Sequence, residues 1–306
     1  LAETFWRRFQ EAEQRRDRPM AQVFRALVEQ FHDGRHAREL DGTGSLKLDV
    51  SPKIAEWTLH PQVERDLVLE DGPAAMYGHG DLRLGELAMG SYVLVARAMG
   101  YEVVRYPIAI SRNTDWEGEL RLLPTEAVPT GFVYVPGTWA WLGGDETATN
   151  GWELRRQWVD SFLMKRFPVT FREWCEFLDD LDVPEDDELV PKSDADGLLC
   201  RRRNGRWEPL PDRDLEAIER LGGPGSHWRV PACGITRASA ERYAAWVSDR
   251  SARAFRLPTP EERELAARGV DRLRHRLRLR RPRVPAVPVL LHTPQPAHGR
   301  VRRFAA

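Results

Sequence analysis

Cysteine is scarce in this 306-residue sequence, which has only Cys175, Cys200 and Cys233, and no two of them form a C-x-x-C pair. This scarcity excludes a disulfide-stapled scaffold and a four-cysteine zinc site, and it predicts a reducing, cytoplasmic location. Long hydrophobic runs are also lacking. No apolar segment reaches the ~18 residues of a membrane span, and none near the first residue indicates a secretory signal. We therefore expect a globular protein that does not span a membrane.

Lysine is the second scarce residue, since 42 of the 46 basic side chains are arginine. Such a bias is typical of a GC-rich coding sequence. The net charge of −1 hides a split along the chain, because residues 271–306 carry ten arginines and one acid, whereas residues 1–270 carry a net charge of −10. A basic tail is typical of nucleic-acid binding. This tail lacks interleaved aromatic residues, so nucleic acid is kept only as an alternative partner.

Four regions of different character follow one another along the chain, which begins with Leu1 rather than methionine and is interpreted as a fragment. Residues 1–40 carry apolar side chains at three- to four-residue spacing, which predicts a linker of two short amphipathic helices. Residues 41–126 contain short β-type runs, and residues 127–270 combine helix and strand patterns. Residues 271–306 form an Arg- and Pro-rich tail that we expect to be aberrant or disordered.

The second region predicts a small antiparallel β-sandwich, because short alternating runs are separated by Gly- and Pro-containing turns without a helix between them. Strands are expected at residues 45–50, 65–70, 90–98, 102–111 and 117–123. The predicted hairpin that begins at Gly90 resembles those of PEGA-type or carboxypeptidase-regulatory-like β domains. No catalytic combination of side chains occurs here, so we expect a spacer or an adhesion module.

The third region contains two capping boxes, which predict where helices begin. Thr170 and Glu173 have the required spacing, and so do Thr259 and Glu262. In such a box the hydroxyl and the carboxylate each bind a backbone N–H that would otherwise lack a partner at the helix start. Gly269 then supplies a stop signal for the second of these helices.

Further helix and strand patterns complete the third region. Thr236 is a candidate N-cap for a helix with one apolar stripe, and strands are expected at residues 132–135 and 157–164. The helix after Thr170 is expected to bury Trp174, Phe177, Leu178 and Leu181. Helices and strands in this mixture predict an α+β domain.

A series of short motifs in the third region resembles the formylglycine-generating enzyme family, whose members are also called sulfatase-modifying factor domains. The matching segments occur in the family's order and lie at residues 131–137, 143–145, 159–162, 167–170, 231–246, 256–259 and 266–269. The single residues that match the motifs, and for which the resemblance implies structural roles, are Val135, Pro136, Gly144, Phe162, Pro168, Val169, Thr170, Ala240, Trp246, Arg256, Leu257, Pro258, Thr259, Glu262, Glu264, Ala266, Ala267, Arg268 and Gly269.

The resemblance implies a C-type-lectin-like fold, which is expected to be incomplete because nothing after Gly269 matches the rest of the family's domain. The family's later motifs include two cysteines that bind copper and activate oxygen, and no cysteine follows Cys233. We therefore expect no catalytic residue, cofactor site or metal site in this chain, with copper belonging to the complete domain. A reading-frame shift near residue 271 would explain the abrupt loss of the pattern.

Three positions inside the matching motifs depart from the family. Phe171 stands where the family usually has asparagine, Pro260 where it has glutamate, and Arg263 where it has tryptophan. Proline is compatible with the first helical position. The missing tryptophan is expected to remove a contact in the core or in a cleft, which weakens the case for a catalytic pocket.

Other groups of residues have the composition of functional sites. His32 and His36 have the i,i+4 spacing of a zinc pair, but Gly34 interrupts the helix between them. Residues 179–188 are rich in acids but lack the spacing of an EF-hand loop, which favours a solvated loop over a calcium site. The eight tryptophans of residues 127–270 suit core packing more often than ligand stacking.

The three cysteines are expected to be structural. Cys175 and Cys233 lie in apolar patterns, where a free cysteine acts as a small hydrophobic residue. Cys200 precedes three arginines, which would lower the pKa of its thiol if they lay close to it.

The resemblance also bears on function, because such domains in bacteria often follow a serine/threonine protein kinase domain. We expect a non-catalytic binding or regulatory module for a peptide or protein partner, which would be the C-terminal fragment of such a kinase. One alternative is a formylglycine-generating oxidase that acts on a cysteine of a sulfatase-type substrate and lacks its catalytic half here. The other is a nucleic-acid binder that uses the basic tail.

Overall fold

The computed structural model of this chain describes residues 1–15, 17–34, 36, 40, 42–65, 68–145, 151–193, 197–210, 219–220, 222–251, 253–270 and 290–291. The chain divides into two compact units, one over Leu1–Leu122 and one over Leu123–Gly269. Val270 groups with the first unit, and residues 290–291 group with the second. Helices and strands occur together, which confirms the mixed α and β class.

In the described residues, the first unit begins with two helices. Helix α1 spans Ala2–Gln14 and helix α2 spans Arg18–Phe31. Asp17 caps α2 by accepting a hydrogen bond from the Met20 N–H at 3.2 Å. The buried cluster between the helices consists of Trp6, Phe9, Val28 and Leu40. The prediction of two short amphipathic helices is therefore confirmed.

Eight strands follow in the described residues of the first unit. They are β1 (Thr43–Ser51), β2 (Glu56–Arg65), β3 (Val68–Asp71), β4 (Met76–His79), β5 (Leu82–Ala88), β6 (Gly90–Arg97), β7 (Val104–Ile110) and β8 (Asp115–Arg121). One sheet has the order β5–β1–β8 and the other has the order β3–β2–β6–β7, with β4 also paired to β2. Strands β1 and β8 are parallel, with Ser45 opposite Asp115. The prediction of purely antiparallel pairing is therefore wrong for these strands, which lie too far apart in sequence for a turn to indicate their direction.

The sequence-based prediction also missed β2, β4 and β5. Pro61 lies inside β2, and proline argues against a central strand because it donates no hydrogen bond to the ladder. In this protein the pairing of β2 with β6 ends at Pro61, and the pairing with β3 begins at Gln62. The missing N–H therefore falls at the change of partner strand, and the Pro61 carbonyl accepts a hydrogen bond from the Gly72 N–H at 2.8 Å.

The second unit contains short sheets. Its strands are β9 (Phe132–Val135), β10 (Thr138–Leu142), β11 (Arg155–Val159), β12 (Phe162–Lys165), β13 (Cys200–Arg203), β14 (Arg206–Pro209), β15 (Phe255–Arg256) and β16 (Leu290–Leu291). The largest sheet has the order β15–β16–β12–β9, while β10–β11 and β13–β14 form two-stranded sheets. The predicted strand at residues 132–135 is confirmed. The single strand predicted at residues 157–164 is wrong, because β11 and β12 are separate strands in different sheets.

Strand β16 lies in the region predicted to be an aberrant or disordered tail. It pairs with β12 through Leu163 and Met164, and with β15 through Phe255 and Arg256. The prediction therefore needs correction at these two residues, whose apolar character suits the interior of a sheet. The rest of the predicted tail lies outside the described residues.

Three helices of nine residues or more lie within the described residues of the second unit. They are α3 (Phe171–Asp180), α4 (Arg237–Ser251) and α5 (Pro260–Arg268), and short 3-10 turns occur at Thr125–Ala127 and Ser226–Arg229. Both predicted capping boxes are present, with Thr170 at the start of α3 and Thr259 at the start of α5. The Thr236 hydroxyl accepts a hydrogen bond from the Ser239 N–H at 3.0 Å, as expected of an N-cap. Within the described part of the chain, no helix has the length and apolarity needed to cross a membrane.

The core of the second unit is aromatic. Trp174 stacks on Tyr243 with ring centres 5.3 Å apart, and the Phe177 ring meets the same tyrosine edge-on at 5.3 Å. The expected burial of Trp174, Phe177 and Leu178 is confirmed. Leu181 is 39% exposed, contrary to expectation, because α3 ends one residue earlier.

Candidate binding groove

A groove of about 380 Å³ lies between α3 and the β13–β14 hairpin. It is lined by Arg172, Cys175, Glu176, Asp179, Arg203, Arg206, Trp207, Glu208 and Trp228. The lining thus contains three guanidinium groups, three carboxylates, two indole rings and one thiol. This mixture of charge and aromatic surface distinguishes the groove from the aromatic core beside it.

One wall of the groove is a face of α3. Arg172, Cys175, Glu176 and Asp179 fall on that face because they are spaced by three or four residues. The helix start is held in place by backbone hydrogen bonds, from Phe171 N–H to the Val230 carbonyl at 2.9 Å and from Ala232 N–H to the Val169 carbonyl at 2.8 Å. The wall is therefore anchored to the segment that carries Trp228.

The other wall is the β13–β14 hairpin, which was not predicted from the sequence. Its two-residue turn is Asn204-Gly205, with φ of 50° and 78°, and Asn-Gly is the usual sequence of a turn with positive φ at both central residues. This dipeptide was the signal that could have revealed the hairpin. The Trp207 N–H donates to Asp179 Oδ1 at 2.8 Å, which joins the hairpin to α3.

The two tryptophans of the groove have different surroundings. Trp228 is half-buried, and the Arg172 guanidinium lies 5.6 Å from its ring centre. Trp207 is 2% exposed, and its Nε1–H has no hydrogen-bond acceptor among the described residues. A buried donor without an acceptor costs ~1–3 kcal/mol of stability. A hydrogen-bond acceptor placed at the Trp207 Nε1–H would therefore stabilise the folded chain.

Two thiols meet beside the groove. Cys175 Sγ and Cys200 Sγ lie 3.9 Å apart, and both residues are buried. The hydrogen bond with Cys175, together with burial, raises the pKa of the Cys200 thiol. The expectation that the following arginines would lower this pKa is wrong, because their charged groups make ion pairs with acids, as in the 2.8 Å contact between Arg201 and Glu208.

Several family-motif residues lie together at α5, on the side of the β10–β11 hairpin. Glu264 accepts a hydrogen bond from the Gly143 N–H at 2.8 Å, and Arg268 donates to the Gly143 carbonyl at 3.1 Å and pairs with Glu264. Gly143 and Gly144 both have φ of 77°, a conformation that favours glycine. Glu264 and Arg268 thus join the tight turn at Gly143 and Gly144 to one face of α5.

A second group of motif residues surrounds the start of α5. Arg256 binds Glu262 through both oxygens, at 2.7 and 2.5 Å, and Glu262 also accepts the Thr259 N–H at 2.7 Å. Burial alone would raise the pKa of Glu262, but these hydrogen bonds outweigh it and hold the pKa below 4.5. This arrangement positions Leu257 and Pro258, which line a second groove of about 640 Å³.

The remaining motif residues are spread over the unit. Phe162 is buried and lies opposite Val135 in the sheet, next to buried Pro136. Pro168 and the buried Val169 precede α3. Ala240 is buried in α4, and Trp246 of the same helix donates a hydrogen bond from Nε1 to Asp180 at 2.7 Å. Ala266 and Ala267 are exposed on α5, and Gly269 ends that helix with a φ of 74°.

The other candidate sites have local structural roles. His32 accepts a hydrogen bond from the Gly34 N–H at 3.0 Å, whereas the His36 ring stacks on Trp6 at 4.9 Å. The acidic segment is solvated as expected, because Asp180, Asp182, Glu185, Asp186 and Glu188 are all exposed. Two of these acids also make surface ion pairs, Asp180 with Arg250 at 2.9 Å and Asp182 with an arginine of β13. Among the residues that the structure describes, no three potential ligands are arranged to hold a metal ion.

Comparison with known proteins identifies the family. Residues 121–278 match the sulfatase-modifying factor enzyme 1-like domain, and this match covers more than half of the chain. The chain belongs to this family. Among solved structures, PvdO from Pseudomonas aeruginosa is similar with 22% identity over 45% of this chain and a TM-score of 0.31. The matched region is 46% of PvdO, so the chain spans about half of that protein. No curated protein matches.

The copper chemistry of sulfatase-modifying factor domains does not fit the residues of this member. The family's metal-binding cysteines would follow Gly269, where this chain has no cysteine. Cys175 and Cys200 come from an earlier part of the domain than the copper-binding cysteines that the resemblance implies.

Proposed function

We propose that this member of the sulfatase-modifying factor family is a non-catalytic binding module, and that the groove between α3 and β14 holds a peptide segment of a protein partner. The observation that carries the proposal is the lining of the groove, where charges of both signs surround two indole rings. A peptide can match such a surface because it offers charged side chains, apolar side chains and backbone carbonyls together.

The distribution of charge supports a peptide over a polyanion. Glu176 and Arg206 make no ion pair with any described residue, and both are exposed at the groove. A nucleic acid would place phosphates close to Glu176, Asp179 and Glu208, where repulsion would oppose binding. A peptide with an acidic and an apolar side chain would instead pair with Arg206 and pack on Trp228.

The finer parts of the proposal rest on the family resemblance. We propose that the domain has a C-type-lectin-like fold, that residues 1–40, 41–126 and 127–270 act as linker, β-sandwich and binding domain, and that the protein works in the cytoplasm. We also propose that the module regulates an upstream serine/threonine protein kinase domain of the same polypeptide, since the order of helices, β domain and family domain suits that arrangement.

A display library of random octapeptides, selected on the full chain, tests the proposal. We expect enriched peptides whose affinity falls at least about tenfold in Trp228→Ala, the size of effect typical of a central aromatic contact. Trp152→Ala is the matched control, because Trp152 is 40% exposed in the same unit but does not line the groove. It should change the affinity by less than about twofold.

Two results would contradict the proposal. One is a selection that enriches no peptide above the unselected library, and the other is an enriched peptide that binds wild type and Trp228→Ala equally. Tight binding of a single-stranded oligonucleotide with steep salt dependence would favour the basic-tail alternative instead. Conversion of a cysteine in a sulfatase-type peptide would favour the oxidase.

A further inference from the structure

Cys175 and Cys200 are brought together by the fold from positions 25 residues apart. Cys175 lies on α3 and lines the groove, whereas Cys200 begins β13 and is fully buried behind it. Their sulfur atoms are 3.9 Å apart, and a disulfide bond requires about 2.05 Å. The two sulfurs must therefore approach by about 1.9 Å, which two side chains can share.

We propose that Cys175 and Cys200 form an oxidisable pair, in which hydrogen peroxide that enters the groove converts the two thiols into a disulfide between α3 and β13. This inference goes beyond the proposed function, because it concerns a covalent modification of the chain and does not depend on any partner.

The reaction balances in two steps. The Cys175 sulfur attacks one peroxide oxygen, the O–O bond breaks, and the departing hydroxide takes the thiol proton to form water, which leaves a sulfenic acid at Cys175. The Cys200 sulfur then attacks the Cys175 sulfur, the S–O bond breaks, and the released hydroxide takes the Cys200 proton as a second water. Two electrons thus pass from the thiols to the peroxide.

The positions of the two thiols indicate which one reacts first with the peroxide. Small molecules in the groove reach Cys175 first because it is the thiol in the lining. Cys200 suits the second, resolving step because it is next to Cys175 and away from the lining, and its raised pKa makes it a poor first nucleophile. The reaction is expected to be slow, because both thiols are 2% exposed or less.

Cys233 provides an internal control. It is the third cysteine of the chain and is only partly buried, and none of its contacts places it within hydrogen-bonding distance of another sulfur in the described structure. A nonspecific oxidation would therefore modify Cys233 at least as readily as the buried pair. If the 3.9 Å distance between the sulfurs of Cys175 and Cys200 directs the oxidation, this pair should be oxidised and Cys233 should stay reduced.

The experiment treats the reduced full chain with hydrogen peroxide and maps the thiols by alkylation and mass spectrometry. We expect one intramolecular disulfide between Cys175 and Cys200, with Cys233 alkylated after unfolding. The melting temperature of the oxidised chain should rise by roughly 5 °C, and dithiothreitol should reverse the change. Cys233→Ser should behave as wild type, and Cys200→Ala should stop at oxidised Cys175.

A disulfide that includes Cys233, a disulfide between two chains, or a pair that stays reduced would overturn the inference. The mass-spectrometric mapping of the wild-type thiols is sufficient to decide among these results. The test therefore remains valid even if the Cys200→Ala variant misfolds. Trp228→Ala should still form the bond even though it is designed to lose the peptide. Failure of the inference is thereby distinguishable from failure of the proposed function.

Discussion

The starts of α3 and α5 carry the same local motif in different surroundings. In α3, Thr170 N–H donates to Glu173 at 2.9 Å, and in α5, Thr259 N–H donates to Glu262 at 2.7 Å. The return hydrogen bonds from the glutamate N–H to the threonine hydroxyl are 3.4 and 3.2 Å long. Backbone geometry alone would make the two helix starts equivalent.

Their neighbours make them different. The first helical residue is buried Phe171 in α3 and exposed Pro260 in α5. The glutamate of α3 pairs with a lysine and keeps 33% of its side chain exposed, whereas the glutamate of α5 pairs with an arginine and keeps only 10% exposed. A capping box thus determines where a helix begins, and the packing around it determines how much stability it carries.

Replacing the first helical residue should produce the largest difference in the loss of stability between α3 and α5. Phe171→Ala is expected to cost about 3 kcal/mol, because it removes a fully packed ring from the core. Pro260→Ala should cost less than about 1 kcal/mol, since it loses only the preset backbone angle. Urea unfolding followed by tryptophan fluorescence measures both changes, and equal losses would show that the local motif outweighs packing.

Removing the basic partner of each glutamate should give the next largest difference. Arg256→Ala is expected to cost about 2 kcal/mol, because it leaves the nearly buried carboxylate of Glu262 without its two strongest hydrogen bonds. Lys165→Ala should cost about 1 kcal/mol or less, since Glu173 remains open to water. The same unfolding experiment tests this order, and a larger loss for Lys165→Ala would contradict it.

Lowering the pH should change the stability of the chain least among these three tests. The pKa of Glu262 in the folded chain lies below its usual value of 4.5, because Arg256 and the Thr259 N–H outweigh burial. Its contribution is therefore complete above pH 4.5 and is lost as the pH falls through the lower folded value. The difference in melting temperature between wild type and Glu262→Gln should shrink as the pH falls from 6 to below 4.5. A constant difference over that range would show that the charge of Glu262 does not contribute.

Prediction from sequence succeeded where the physical cause is local. The capping residues Thr170 and Thr259 fall within three residues of their partners, so the helix starts could be located without a fold. Prediction failed at β2, where Pro61 hid a strand, and at β11 and β12, where one run proved to be two strands. The candidate groove was missed because its walls come from α3 and a hairpin about 30 residues further along the chain.

Sequence alone determined which segments form helices, where those helices begin, and which motifs place the chain in its family. Hydrogen bonds and apolar spacing within a few residues are sufficient for these features. Only the tertiary structure decided that β1 runs parallel to β8, that Cys175 meets Cys200, and that Trp207 lies in a groove wall. Each of these contacts joins residues about 25 to 70 positions apart, and packing of the whole unit, rather than any local preference, selects such pairs.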